Sequence, residues 1–124
     1  MRLVLDTHVA LWVLAADERL SPRAAELLGD PAQEVLLSAV VLWEVSIKRS
    51  LGKLVAPDGF ADRLLEAGAV GLPVTLEHAR QVEALPWHHR DPFDRMLVAQ
   101  ARLEGASVLS SDAALRAYEV ALEW

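Results

Sequence analysis

Apolar positions in this chain follow two rhythms. Unbroken runs occur at Leu3-Val4-Leu5, Val35-Leu36-Leu37 and Val108-Leu109, while the segments between them carry apolar residues three and four apart. Continuous runs fit strands covered on both faces, as in parallel sheets, and the wider spacing fits helices packed on one side. A helix is expected directly after Asp6, from Val9, Leu11, Trp12, Val13 and Leu14. Ser21-Pro22 opens a second helix closed by Gly29, and Ser38 caps a third that runs from Ala39 to Gly52. Asp58 starts a fourth that ends near Gly68, Thr75 caps a fifth reaching about Leu85, and Asp91-Pro92 opens a sixth that Gly105 ends. Val70 to Val74 reads as a short strand carrying Pro73 at an edge, Ser107 to Leu109 as a strand, Asp112 to Tyr118 as a short helix, and Val120 to Trp124 as a last strand or tail. Strands alternating with helices predict an α/β fold with a mainly parallel central sheet and helices on both faces. The 124 residues are expected to form one domain over 1–124.

Composition changes this picture in three respects. The hydrophobic fraction of 53% is high, and the first and third helices are too apolar for one buried face, so a homodimer or higher homo-oligomer and a partner surface are expected. Cysteine is absent, which removes disulfides, thiolate nucleophiles and cysteine-ligated metals and suits a reducing cytosol. Asp6 and His8 interrupt the apolar start that a signal peptide would need, and no uncharged apolar run approaches the roughly 18 residues of a membrane span. A cytoplasmic protein without membrane attachment is the expectation. The net charge of −6 argues against a broad basic face for nucleic acid, yet acids gathered around divalent cations would reverse the local sign.

Four carboxylates carry the candidate chemistry. Asp6 ends the first strand, where ligands bind in parallel sheets, although it or Thr7 equally suits a helix cap. Glu44 interrupts a helical stripe of Val40, Val41 and Ile47, a costly position unless the acid is paired or binds a metal. Lys48, four residues on, offers a local ion pair, but it is expected to lean toward the helix end and solvent. Asp94 shares a stripe with Leu97, Val98 and Ala101, and Asp91 can cap that helix without it. Asp112 follows the strand ending near Ser110, and taken singly it is best explained as a cap. As a set, two acids at strand ends and two on buried helical faces would supply the hard oxygen ligands that suit Mg²⁺ or Mn²⁺. Such ions activate water and neutralise charge on a phosphodiester. Crowded carboxylates about 4 Å apart repel by roughly 4 kcal/mol at an effective dielectric near 20, so the metal-free cluster should be strained, with Glu44→Gln relieving it.

The remaining polar and aromatic residues are less committal. His8, His78, His88 and His89 show no ligand spacing and read as surface or loop residues, with His88 and His89 at the rim of the site. Arg90 and Arg95 flank Asp94, suiting phosphate groups or, for Arg95, a pair with Asp91. Lys48, Arg49 and Lys53 sit near one helix end, where cations favour the dipole regardless of substrate. Trp12 and Trp43 suit core or interface anchoring, and Trp87 lies in a loop.

The segments LVLDTHVALW, SAVVLWEVSIK, HRDPFDRMLVAQA and VLSSD resemble the PIN-domain family, specifically the VapC-type toxins of bacterial toxin-antitoxin pairs. The resemblance spans essentially the full chain. It implies a parallel sheet with helices on both sides, Mg²⁺- or Mn²⁺-dependent RNA cleavage and a cognate antitoxin partner. It further implies that Asp6, Glu44 and Asp94 are the core metal-binding acids and Asp112 the fourth, with Thr7 and Ser110 at the hydroxyl positions beside them. Ser110 fills a place often held by Thr, and His8 falls at a variable position. A phosphorelay receiver would need an acid pair near the first strand and a late strand-end lysine, and a haloacid-dehalogenase phosphatase would need Asp-x-Asp where position 8 is His. A catalytically inactive PIN-like binding module keeps the fold without the chemistry.

Overall fold

The computed structural model describes residues 1–124, and its centre is the strand β1 (Arg2–Leu5), whose Leu3, Val4 and Leu5 are all buried. A strand buried at consecutive positions must be covered on both faces. Beside it lie β2 (Glu34–Ser38) and β4 (Ser107–Leu109), with β3 (Val70–Leu72) and β5 (Leu122–Glu123) outside them in the order β3-β2-β1-β4-β5. Every pairing is parallel, Leu5 standing opposite Leu109.

Parallel neighbours need crossover connections, and the helices α1 (Thr7–Ala15), α2 (Pro22–Gly29), α3 (Ala39–Ser50), α4 (Phe60–Glu66), α5 (Leu76–Ala84) and α6 (Pro92–Glu104) provide them. The chain steps from β1 to β2 to β3 in one direction, then returns across β1 to reach β4. Right-handed crossovers therefore put the helices of the two excursions on opposite faces. Packing agrees for α4, which lies on α1 and β2, and for α5 and α6, with α5 on α6 and α6 on β1 and β4, whereas α3 lies on β2 and also meets α6. The reversal of direction falls between β1 and β4, and the crevice at the carboxyl ends of those two strands is where such a sheet presents a ligand.

Three residues at strand ends turn the chain into the following helix. Asp6 accepts from the Val9 amide, Ser38 from Val40 and Asp112 from Ala114. Ser21, Thr75 and Asp91 cap α2, α5 and α6, with Pro22 and Pro92 in the first turns. Some expected boundaries move. α4 begins at Phe60 rather than Asp58, because Gly59 takes a left-handed conformation (φ 69°) at its N-cap. β3 stops at Leu72, ahead of Pro73, which has no N–H for a ladder. The segment Ala113–Tyr118 is a 3-10 helix, and the tail contributes β5.

His78 departs from its expected surface position and is buried. Its Nδ1 accepts the Thr75 amide at 3.1 Å and completes a capping box, and its Nε2 meets Glu104 at 3.0 Å. The fully buried Gln100 binds the same network. Its Oε1 accepts from Ser38 at 2.5 Å, and its amide donates to the Pro73 carbonyl at 3.2 Å, tying the end of β2 to the return excursion. The apolar excess of α1 and α3 does reach the surface: Trp43 is 60% and Leu42 42% exposed, and Leu11, Trp12, Val13 and Leu14 are only partly covered. No helix is long and apolar enough to cross a membrane.

Gln100→Ala strands the Ser38 hydroxyl and the Pro73 carbonyl and opens a cavity. It should cost roughly 2–4 kcal/mol in urea denaturation, and a loss below about 1 kcal/mol would show the network to be dispensable.

Candidate metal centre

The crevice between β1 and β4 is drawn together by a hydroxyl. The Asp6 amide continues the pairing of the two strands by donating to the Leu109 carbonyl at 3.2 Å, which brings Ser110 beside it. Ser110 Oγ donates to Asp6 Oδ2 and accepts the Asp112 amide at 3.1 Å, so one side chain ties both strand-end acids together. The other Asp6 oxygen accepts the Val9 amide at 2.8 Å. Asp6 thus caps α1 and faces the crevice at once.

Glu44 is 4% exposed and comes from α3 against the start of α1. Its Oε1 accepts from Thr7 Oγ1 at 2.5 Å, and its Oε2 from Lys48 Nζ at 2.5 Å. The expectation that Lys48 would turn to solvent is corrected here. A lysine stem four residues along the same helix face is long enough to reach a buried carboxylate, and the desolvated acid holds the ammonium in place.

Asp94 is partly buried rather than enclosed. Asp91 caps α6 alone, accepting the amides of Phe93 at 2.8 Å and Asp94 at 3.2 Å, which frees the Asp94 carboxylate for the crevice. His89 Nε2 lies 3.5 Å from Asp94 Oδ2 and 3.7 Å from Asp112 Oδ2. One atom from each of the three falls within 4.8 Å of the others, a spacing that one cation could bridge. Asp112 uses its Oδ1 to cap the 3-10 helix at Ala114, the capping role weighed for it, and its Oδ2 is left toward His89.

Electrostatics joins the inner and outer acids. Burial, then the charge of Asp91, pushes the Asp94 carboxyl from its ordinary 3.8 up to about 7, with Asp6 and Glu44 adding to the shift and His89 opposing it. Burial also raises Asp6, against the hydrogen bonds from Ser110 and Val9, and the charge of Glu44 adds. Lys48 is raised by its bond to Glu44 and by the charges of Glu44, Asp91 and Asp94. The metal-free strain therefore falls on Asp94 and Asp6, while Lys48 neutralises Glu44, the residue on which relief was expected.

Arg95 also corrects its expectation. It is 3% exposed, and its guanidinium pairs with neither Asp91 nor any acid of the crevice. Its guanidinium donates to the carbonyls of Pro86 (2.8 Å), Val82 (3.2 Å) and Leu85 (3.3 Å) and to the Tyr118 hydroxyl (3.3 Å), and lies 3.8 Å from the centre of the exposed Trp87 ring. It is a clamp on the loop that carries His89. Arg90 remains at the surface of that loop beside Trp87. His8 is exposed on α1 and lies outside the group of His89, Asp94 and Asp112, although its charge acts on Asp6. Trp43 packs edge-on against Phe93 while staying largely exposed.

A model of the PIN domain matches residues 3–121. The chain belongs to the PIN-domain family. Three solved structures share the fold at low identity. A chain of VapBC2 from Rickettsia felis, bound to a DNA fragment from its promoter, aligns with a TM-score of 0.73 at 14% identity, covering 99% of this chain and 98% of that one. A chain of DNA-bound VapBC from Salmonella typhimurium gives 0.71 at 14%, covering 99% and 97%. A chain of VapBC-1 from nontypeable Haemophilus influenzae gives 0.69 at 15%, covering 98% and 96%. No curated protein matches the chain. In this PIN domain the acidic rim at the β1–β4 crevice is an arrangement suited to a divalent cation: its donors are hard carboxylate oxygens, and burial, with a smaller contribution from neighbouring acids, raises the pKa values of Asp6 and Asp94.

Folded Asp94 holds its proton to about pH 7, whereas the unfolded chain loses it near the ordinary 3.8. Ionising the folded cluster therefore costs stability progressively as pH rises from about 4 through about 7. Screening by water in the half-open site reduces this to on the order of 2 kcal/mol. In EDTA, Asp94→Asn should melt higher than wild type at about pH 8, lose that advantage progressively toward about pH 4 and gain less from Mg²⁺. Identical pH dependence of the two melting temperatures would refute the assignment of strain to Asp94.

Proposed function

We propose that this PIN domain is a metal-dependent endoribonuclease, a VapC-type toxin of a type II toxin-antitoxin pair acting in the cytoplasm. The observation that carries this reading is geometric: Asp94, Asp112 and His89 each bring a ligand atom within 4.8 Å of the others at the crevice where Asp6 ends β1, and burial, then the charge of Asp91, holds the Asp94 carboxyl up at about 7. Acids gathered in a cleft with raised pKa values are what a cation site calls for. Asp6, Glu44, Asp94 and Asp112 are the proposed ligands of one or two Mg²⁺ or Mn²⁺ ions and form the catalytic set. When bound, the cation supplies activation of water and neutralisation of charge on a phosphodiester.

The chain's own residues prepare that chemistry. Ser110 and Thr7 fix the carboxylates of Asp6 and Glu44 through short hydrogen bonds, so that the ligand geometry does not depend on the ion alone. Asp94, the acid with the highest affinity for its proton, must be ionised to act as a ligand, which makes cation binding favour alkaline conditions. Lys48 keeps a positive charge at the edge of the rim, where an RNA backbone has to approach.

An antitoxin partner and a homodimer or higher oligomer follow from the same reading. The likeness to VapBC chains supports the former, and the exposed apolar residues of α1 and α3 support both. An inactive binding module is favoured by one observation, the Lys48–Glu44 pair, since a lysine can serve Glu44 as a permanent structural partner. Nothing comparable satisfies Asp94.

Incubation of a total RNA pool decides between the two. Wild type should cleave it with Mg²⁺ or Mn²⁺, lose the activity in EDTA, and lose it in Asp6→Asn with the fold intact. Equal cleavage by Asp6→Asn, or cleavage that survives EDTA, would sink the metal-dependent reading.

A further inference from the structure

His89 has no role in the site so far beyond its place between two acids, and its geometry discriminates between two roles. The backbone amide of Asp91 donates to His89 Nδ1 at 3.0 Å. An amide nitrogen is only a donor, so Nδ1 must offer its lone pair, and the proton of the neutral ring lies on Nε2. Nε2 is the atom that faces Asp94 and Asp112. A metal ligand would need a lone pair there, which would move the proton to Nδ1 and set it against the Asp91 N–H. Proximity to two carboxylates resembles a ligand set, but the hydrogen bond on the far side of the ring opposes it.

The Nε2–H is also not consumed by the acids. Distances of 3.5 and 3.7 Å are longer than an N–H···O hydrogen bond, so neither carboxylate holds this donor firmly. The ring is nevertheless not loose. The His89 carbonyl accepts from the Tyr118 hydroxyl at 3.2 Å, and the preceding turn is held by Arg95 on the Pro86 carbonyl at 2.8 Å. A fixed donor, held beside two acids at the mouth of the crevice, suits an anionic oxygen that arrives with the substrate.

We propose that His89 is a substrate-contacting residue whose Nε2–H donates to a non-bridging phosphate oxygen at the scissile linkage of RNA, and that it is not a metal ligand. This rests on the ribonuclease reading above. No proton is transferred in this role; the contact stabilises charge on the phosphate and fixes its orientation beside Asp94 and Asp112.

The test compares wild type, His89→Ala and His89→Gln, with circular dichroism to register folding. Mn²⁺ affinity is measured by titration calorimetry without RNA. Cleavage is measured on one oligoribonucleotide with an ordinary or a phosphorothioate linkage at the cleaved position. In His89→Ala the Mn²⁺ affinity should stay within about twofold of wild type while kcat/KM falls about 10- to 100-fold, the scale of one hydrogen bond to a charged oxygen. His89→Gln, which places an amide N–H toward the same point, should recover part of that loss. One phosphorothioate diastereomer should slow wild type more than it slows His89→Ala. If His89→Ala does not fold, His89→Gln carries the calorimetric and sulfur comparisons. A loss of Mn²⁺ affinity of about tenfold or more makes His89 a ligand and overturns the proposal, as does a kcat/KM within about twofold of wild type. A wild type that cleaves no RNA with either metal removes the ribonuclease reading and this contact together. That outcome is distinct from a wild type that cleaves and a variant that cleaves equally well.

Discussion

Asp6 is a carboxylate buried at the end of the central strand, and a lone carboxylate cannot stay ionised there without donors. The hydrogen bond from Ser110 and the amide of Val9 meet that requirement and also hold β1, β4 and α1 at one corner. The same constraint repeats outward. Thr7 and Lys48 serve Glu44, and Asp91 takes over the capping of α6 so that Asp94 can face the crevice. These donors serve Asp6 and Glu44, and the remainder of the cluster falls on Asp94, raised first by burial and then by the charge of Asp91.

The fold positions this remainder through topology more than through any one contact. Because the chain leaves β1 in one direction and returns to β4 on its other side, the ends of β1 and β4 are neighbours, although 104 residues separate Asp6 from Ser110. α3 and α6 come from different excursions and pack against each other, which delivers Glu44 and Asp94 toward the same corner. The Arg95 clamp and Tyr118 add the third side by fixing the loop that bears His89.

Much of this was legible in the sequence because it depends on local chemistry. The unbroken apolar runs announce a strand covered on both faces, and Asp91-Pro92, Ser21-Pro22 and Ser38 announce helix starts that the structure keeps. The four acids are conspicuous because each stands where an apolar residue or a simple cap would be expected. What escaped depends on side chains meeting across the fold. His78 looked like a surface residue because its partners, Glu104 and Gln100, come from α6. Arg95 looked like a phosphate contact because the carbonyls that bury it belong to the turn before α6 and to the end of α5. Lys48 was misjudged for a different reason. Its spacing from Glu44 was visible, but the depth of the acid, which decides whether the lysine follows it inward, was not.

The central claim is that the four acids form one cation site rather than four separate caps and pairs. Diffraction from crystals soaked in Mn²⁺, recorded with anomalous signal, measures this directly. A peak coordinated by oxygens of Asp94 and Asp112 together with Asp6 or Glu44, with Lys48 withdrawn from any acid so engaged, is the result the account predicts. A peak elsewhere on the molecule, or none in the crevice at a Mn²⁺ concentration that supports catalysis, would contradict it.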